Sequence, residues 1–163
     1  MILNKDTADK KLKRMALEVA EKNFDKKELV LIGIKENGTY IAKKIAEYLK
    51  DVFTGKIQLL ELSLDKRKPE KIILDKKIDF NDACVLLIDD VANSGKTMLY
   101  ALKPLLDEFP QQIETLVLVE RTHKRFPIAV DYVGMSVSTT RQENIIVKVE
   151  QGEIMGAYID AAS

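Results

Sequence analysis

The sequence contains very little cysteine and histidine, and this restricts the chemistry that the chain can perform. One cysteine, Cys84, and one histidine, His123, occur among its 163 residues. A single thiol cannot build a disulfide framework, and no zinc-finger spacing is present, so the composition favours a reducing compartment. Cys84 begins an apolar run and is interpreted as a small buried hydrophobic residue. His123 is assigned no proton transfer.

The chain also lacks an excess of either charge and any long apolar run. Lys plus Arg and Asp plus Glu number 26 each, so no overall field attracts the protein to nucleic acid or to a membrane surface. Charged residues recur from Lys5 onward, which argues against a signal peptide or a membrane span in the N-terminal segment. These absences predict a cytoplasmic globular protein without a membrane partner.

Apolar segments of strand length alternate with segments of helical periodicity. The predicted helices cover 10–24, 39–53 and about 95–109, and the predicted strands cover 28–34, 56–64, 84–90, 113–120, 130–137 and 144–150. Pro104 should kink or split the last helix. The alternation predicts an α/β fold with a mostly parallel central sheet flanked by helices. Because no repeat, linker or low-complexity tract occurs, residues 1–163 are predicted to form one domain.

Two short loops stand where a predicted strand meets a predicted helix. They are NSGKT (93–97) and KENG (35–38), and both are typical of anion sites because a helix N-terminus presents free N–H groups. Either loop alone is weak evidence, since turns favour these residues. A nucleoside-triphosphatase loop is excluded, because Asp90 occupies the position that its first glycine requires.

Two adjacent carboxylates, Asp89 and Asp90, precede the NSGKT loop. Carboxylates accept hydrogen bonds from vicinal hydroxyls and hold Mg²⁺ directly or through water. A sugar phosphate suits this arrangement, with its phosphate on the loop and its hydroxyls against the acids. The alternative is a helix-capping pair of acids without a ligand.

The segment VLLIDDVANSGKT (85–97) resembles the phosphoribosyl pyrophosphate (PRPP) motif of the type I phosphoribosyltransferase family. The resemblance implies that Asp89 and Asp90 hold the ribose hydroxyls and act as the catalytic and metal-binding acids, with Mg²⁺ as cofactor. It also implies a small hood over the active site and a homodimer or higher homo-oligomer. The implied 5′-phosphate loop comprises Ala92, Asn93, Ser94, Gly95, Lys96 and Thr97, and the implied pyrophosphate loop comprises Lys35, Glu36, Asn37 and Gly38.

Within the family, LIGIKENGTYIAKKIAE and LVLVERTHKRFPIAVDYVG resemble the PyrR group, which pairs uracil phosphoribosyltransferase activity with RNA-binding control of pyrimidine genes. Glu120 and Asn93 replace a lysine and an aspartate of the purine-salvage branch, which favours a pyrimidine base. The resemblance places Tyr132 and Val133 against the base and Arg121 in the same region.

Two segments depart from the PyrR pattern. The pyrophosphate loop reads KENG where that group has Lys-Thr-Arg-Gly, and Glu36 either points to solvent or touches the metal. The segment 63–77 aligns with a mobile loop, and its Lys66, Arg67 and Lys68 either close over the phosphates or remain solvated.

The expected function is transfer of the phosphoribosyl group of PRPP to uracil. The alternatives are a PRPP- or nucleotide-binding pyrimidine regulator, with RNA as a partner and little catalysis, and a purine phosphoribosyltransferase.

Overall fold

The structure of the chain is a computed structural model that describes residues 1–161. Its helices and strands follow the predicted alternation, with additional short strands. In chain order they are β1 (Leu3–Asn4), α1 (Lys5–Lys22), β2 (Glu28–Ile34), α2 (Asn37–Leu49), β3 (Lys56–Ser63), β4 (Ile73–Leu74), β5 (Cys84–Ala92), α3 (Lys96–Ala101), α4 (Lys103–Leu106), β6 (Gln112–Arg121), β7 (Tyr132–Val137), β8 (Glu143–Glu150) and β9 (Glu153–Ala161).

The central sheet has six strands in the order β4-β3-β2-β5-β6-β7. All neighbouring pairs are parallel except β3 with β4, which confirms the predicted mostly parallel sheet. From β2 the chain moves to β3 on one side, whereas from β5 it moves to β6 and β7 on the other. The carboxyl ends of β2 and β5 therefore form a topological switch point, where open α/β sheets bind ligands.

Successive residues of the central strands point to opposite faces of the sheet, and both faces are covered. Leu31 and Ile88 pack in the core that contains α1 and α2, whereas Ile32 and Leu87 pack in the core that contains α3 and α4. These two apolar layers hold the strand ends in fixed positions.

A second sheet forms the predicted hood. It is antiparallel, with the order β1-β9-β8, so β8 lies at its edge. The strand predicted at 144–150 therefore exists but lies in the hood rather than in the central sheet. The strands β1, β4 and β9 were not predicted from the sequence.

The helix boundaries have local causes. Pro104 splits the predicted third helix into α3 and α4 and lies in the first turn of α4, where a missing N–H costs no hydrogen bond. Helix α1 begins at Lys5 rather than at residue 10 because the Asn4 side chain accepts a hydrogen bond of 2.8 Å from the Thr7 N–H. Within residues 1–161, no helix is long and apolar enough to cross a membrane.

Candidate functional site

A cavity of about 280 Å³ lies at the switch point, between the strand ends of the central sheet and the hood. It brings together residues from both anion loops, from the acidic strand end, from the 63–77 segment and from β8. The lining residues are Asn37, Lys66, Asp89, Asp90, Val91, Ala92, Asn93, Ser94, Gly95, Thr97, Met98, Ile145, Ile146 and Val147. Most of the predicted phosphate loop and both predicted acids therefore share one cavity.

The two acids lie near the carboxyl end of β5 and are almost inaccessible to solvent. Asp89 is 2% exposed and Asp90 is 9% exposed. The Asp90 N–H donates to Asp89 Oδ1 at 2.8 Å, and the Val91 N–H donates to Asp90 Oδ1 at 2.8 Å. Burial raises the pKa of Asp89 well above its usual range, and the neighbouring Asp90 raises it further, while Lys66 opposes the shift. A cation or hydroxyl donors entering the cavity would relieve this unfavourable charge.

The loop after β5 is shaped for an anion. Gly95 adopts φ +86°, and a Cβ at this position would lie 2.6 Å from the Ile128 side chain. The Ser94 carbonyl accepts hydrogen bonds from the Arg125 and Phe126 N–H groups at 3.1 and 3.0 Å, which braces the loop from outside. Only glycine fits this tight, left-handed position, so the loop keeps its backbone close to the cavity.

The loop after β2 contacts the acidic strand end directly. A Cβ at Gly38 would lie 2.9 Å from the Ile88 carbonyl oxygen and 3.0 Å from Asp89 Oδ1, so the backbone of α2 presses against the acid. From this loop, Asn37 lines the cavity. Lys35 Nζ lies 3.6 Å from a carboxylate oxygen of Glu61, and Glu36 is exposed. Glu36 therefore points to solvent, which is one of the two alternatives expected from the sequence.

The 63–77 segment reaches the cavity through Lys66 rather than through Arg67. Lys66 lines the cavity beside the acids. Arg67 is exposed, and its carbonyl oxygen accepts a hydrogen bond of 3.3 Å from Lys96 Nζ. Lys68 forms an exposed ion pair of 3.1 Å with Glu70. Arg67 is therefore found in the solvated alternative, and closure of its side chain over the phosphates stays a prediction.

The prediction that Tyr132 and Val133 face the base is wrong. Neither residue lines the cavity, although Val133 lies level with Asp89 in the sheet register through Val117. Tyr132 is fully buried in the core that contains α1, and its hydroxyl donates to the Glu114 carboxylate at 2.9 Å. The Val133 carbonyl accepts from the Arg14 guanidinium at 3.2 Å. Tyr132 therefore has a structural role.

We expect Tyr132→Phe to destabilise the protein without changing its ligand affinity. The substitution removes the hydroxyl from the Glu114 carboxylate, and losing a partner of this kind costs about 1–2 kcal/mol. For a chain of this size, that loss corresponds to a Tm decrease of roughly 2–8 °C. Thermal unfolding and PRPP titration would test both parts, and weakened binding with an unchanged Tm would restore Tyr132 to the site.

Glu120 is not among the residues that line the cavity. Its carboxylate accepts hydrogen bonds from Lys124 Nζ and from Ser136 Oγ, the latter at 3.1 Å. Glu120 therefore lies in the predicted region, but its carboxylate already binds two side chains. One of them, Lys124, balances its charge.

A second cavity of about 350 Å³ adjoins the first, and Ser94 lines both. Its walls come from the loop after β5, the end of β6 and the loops that follow β6 and β7. The lining residues are Ser94, Arg121, His123, Lys124, Arg125, Thr139, Thr140 and Arg141. Arg121 Nε and Thr139 Oγ1 are buried without a hydrogen-bond partner among the described residues. Since the described walls carry cations and no carboxylate, this cavity suits an anionic ligand.

The wall formed by Ile145, Ile146 and Val147 was missed by the sequence reasoning. These residues lie on β8, and the alternation of buried Ile145 and Val147 indicates only a strand with one apolar face. Nothing in their spacing relates them to Asp89, because β8 reaches the cavity through a separate sheet.

Comparisons with known proteins agree with this geometry. A model of the phosphoribosyl transferase domain matches residues 1–151. A Pediococcus pentosaceus protein named bifunctional protein PyrR is 38% identical over 152 residues, covering 86% of each chain. A Lactococcus lactis protein named pyrimidine operon regulatory protein is 34% identical over 155 residues, covering 92% of this chain and 90% of that protein.

Among solved structures, the hypoxanthine phosphoribosyltransferase of Trypanosoma cruzi matches all of this chain and 97% of its own, with a TM-score of 0.81 and 17% identity. A hypoxanthine-guanine phosphoribosyltransferase from Bacillus anthracis matches with a TM-score of 0.70 and 17% identity, covering 90% of this chain and 85% of its own. At these identities the likeness concerns the fold alone.

Proposed function

Because the chain belongs to the phosphoribosyl transferase domain family, we propose that it transfers the phosphoribosyl group of PRPP to uracil, releasing pyrophosphate and uridine monophosphate. The observation that carries this proposal is the buried acid pair Asp89 and Asp90 in one cavity with residues of both anion loops. A sugar carrying a phosphate at one end and a pyrophosphate at the other matches the order of these groups.

The protein acts mainly by positioning and electrostatics. Asp89 and Asp90 accept hydrogen bonds from the ribose hydroxyls, the loop from Ala92 to Thr97 binds the 5′-phosphate, and the loop from Lys35 to Gly38 binds the pyrophosphate. The bond from the anomeric carbon to pyrophosphate breaks while the bond to the base nitrogen forms, the proton of that nitrogen passes to solvent, and positive charge develops on the sugar in the transition state. The nearby carboxylates stabilise that charge.

The acid pair fits Mg²⁺, which prefers carboxylate oxygens and keeps several ligands from substrate and water. Within residues 1–161, no cluster of three or more His, Cys, Asp or Glu residues could hold a metal alone, so Asp89 and Asp90 would bind it together with PRPP. When bound, Mg²⁺ neutralises charge on the leaving pyrophosphate.

Uracil is the proposed acceptor because the relatives are named PyrR and pyrimidine operon regulatory protein. Asn93 supports this choice, since it lines the cavity at the position where the purine-salvage branch carries an aspartate. Glu120 supports it less directly, because its carboxylate is paired with Lys124.

Product chromatography tests the proposal. Purified protein is incubated with Mg²⁺ and PRPP and, separately, with uracil, hypoxanthine, guanine, xanthine or adenine. We expect uridine monophosphate from uracil and no nucleotide from the purines. A purine nucleotide would overturn the base assignment, and bound PRPP without any product would favour a regulator.

A second function, RNA-binding control of pyrimidine genes, is favoured by the second cavity. Arg125 and Arg141 are exposed on its walls, and none of its described lining residues carries a carboxylate. Arginine binds phosphates in a bidentate manner, and the relatives include a pyrimidine operon regulatory protein. RNA binding at the second cavity is compatible with phosphoribosyl transfer, because Asp89 and Asp90 line the first cavity.

We expect Arg125→Ala/Arg141→Ala to weaken binding of a pyrimidine-operon leader RNA and to lower the slope of log K against log salt by about 1 per lost phosphate contact. Lys10→Ala/Lys50→Ala removes the same charge at exposed positions of α1 and the end of α2 and is the matched control. Equal slopes for the two double variants in salt titrations would contradict the RNA proposal.

A further inference from the structure

The hood strand β8 is held at its free edge by side chains from three strand ends of the central sheet. Asn37, just after β2, donates to the Val147 carbonyl at 2.9 Å. Asn93, just after β5, donates to the Ile145 carbonyl at 3.3 Å and accepts from the Ile145 N–H at 3.3 Å. Arg121, the last residue of β6, donates to the Glu143 carbonyl. Two of the links join an anion loop to the hood, and the third joins the end of β6 to it.

The spacing of these links follows from strand geometry. Among the described strands of the hood, β8 pairs only with β9, so the backbone groups on its other edge need partners outside the sheet. Residues 143, 145 and 147 alternate along β8, and their carbonyl groups therefore face the same edge. The three side chains satisfy alternate positions of an otherwise unpaired edge.

The order of the links also matches the order of the strands. Neighbours β2, β5 and β6 in the central sheet supply the partners of Val147, Ile145 and Glu143 respectively. Neighbouring strands lie about 4.8 Å apart, and alternate residues of one strand lie about 6.7 Å apart. A strand that crosses the sheet edge obliquely therefore meets one strand end at every second residue.

We propose that Asn37 and Asn93 are positioning residues that hold β8 over the two anion loops and keep water from the bound sugar, an inference that rests on the proposed function. The side chains of Ile145 and Val147 are 3% and 2% exposed, and both residues line the cavity. Displacement of β8 therefore opens the wall opposite Asp89 and Asp90. Asn37 stands where the PyrR pattern has an arginine, so this chain uses the position to hold the hood.

Displacement of β8 would also change the fate of PRPP. When water replaces the base, the anomeric carbon loses its bond to pyrophosphate and gains a bond to the water oxygen, and a proton passes to solvent. The products are ribose 5-phosphate and pyrophosphate. A cavity with a displaced hood admits water more readily, so hydrolysis should increase relative to transfer.

The first test is hydrogen exchange on the unliganded chain, which does not depend on activity. Asn93→Ala should accelerate exchange of the Ile145 amide by about tenfold or more, because this amide loses its acceptor. Asn93→Asp keeps an oxygen acceptor and should retain part of the protection. Asn144→Ala changes an exposed residue on the same strand and should leave the Ile145 amide unchanged. An Ile145 exchange rate in Asn93→Ala equal to wild type would overturn the inference.

The second test measures ribose 5-phosphate and uridine monophosphate formed from PRPP and uracil. In Asn37→Ala/Asn93→Ala the ratio of hydrolysis to transfer should rise about fivefold or more relative to wild type and Asn144→Ala. A general loss of folded protein lowers both products together and leaves the ratio unchanged, so an unchanged ratio would overturn the inference. If wild type forms no nucleotide with any base, the proposed function fails, and the Ile145 exchange rate alone decides whether Asn93 holds β8.

Discussion

Replacement of Asp89 and Asp90 by asparagine is expected to abolish nucleotide formation while the fold is retained. Asparagine keeps the size of each side chain and the oxygen that accepts the Asp90 or Val91 N–H. It removes the negative charge that would hold the ribose hydroxyls and Mg²⁺, and we expect the rate to fall by about 10³-fold or more. Steady-state assays with PRPP and uracil measure this loss.

The single variant Asp89→Asn should also be more stable than wild type above neutral pH. The folded-state pKa of Asp89 is raised by burial and by Asp90, so the native state binds a proton more tightly than the unfolded chain does. The stability from this group is present below the unfolded pKa of about 3.9 and is lost as pH rises through the folded pKa. The substituted amide has no carboxyl proton to lose, so the variant avoids that loss.

Thermal unfolding at about pH 4.5 and pH 8 tests this sign. The Tm of Asp89→Asn minus that of wild type should be larger at the higher pH. A difference that shrinks with increasing pH would show that Asp89 is stabilised as a carboxylate by surrounding donors. Near-normal turnover in the double variant Asp89→Asn/Asp90→Asn would remove both acids from the mechanism.

Gly38→Ala is expected to disrupt the site through the backbone. The added Cβ would lie 2.9 Å from the Ile88 carbonyl oxygen and 3.0 Å from the Asp89 Cα, and neither atom is the end of a flexible side chain. Overpacking of this kind costs about 1–3 kcal/mol. Because a displacement near 1 Å at a reacting centre costs about 10²-fold in rate, we expect transfer to fall by at least that factor.

Thermal unfolding, PRPP titration and turnover of Gly38→Ala should be compared with those of Lys43→Ala, an exposed position of the same helix. The control changes α2 without approaching Asp89. Unchanged turnover in Gly38→Ala would show that α2 can move away from the acid without loss of function, and that this close contact is dispensable.

Local patterns were sufficient for the elements that build the central sheet. The apolar runs of β2 and β5 occur within one or two residues of their predicted bounds, and Pro104 splits the third helix as expected. The acidic motif and the NSGKT loop are contiguous in sequence, so their meeting at one cavity follows from the strand–loop–helix order alone. The ligand roles of these residues stay predictions.

The parallel α/β architecture, the family and the acid pair beside a phosphate loop were all predictable from the amino-acid sequence, because each depends on residues close together in the chain. Tertiary contacts were needed to show that Tyr132 faces α1 and that Ile145 faces the acids. They were also needed to show that Asn37 and Asn93 bind the hood. The alternation of a strand specifies that one face is buried, but the sheet it joins and the edge it presents depend on pairing between distant segments.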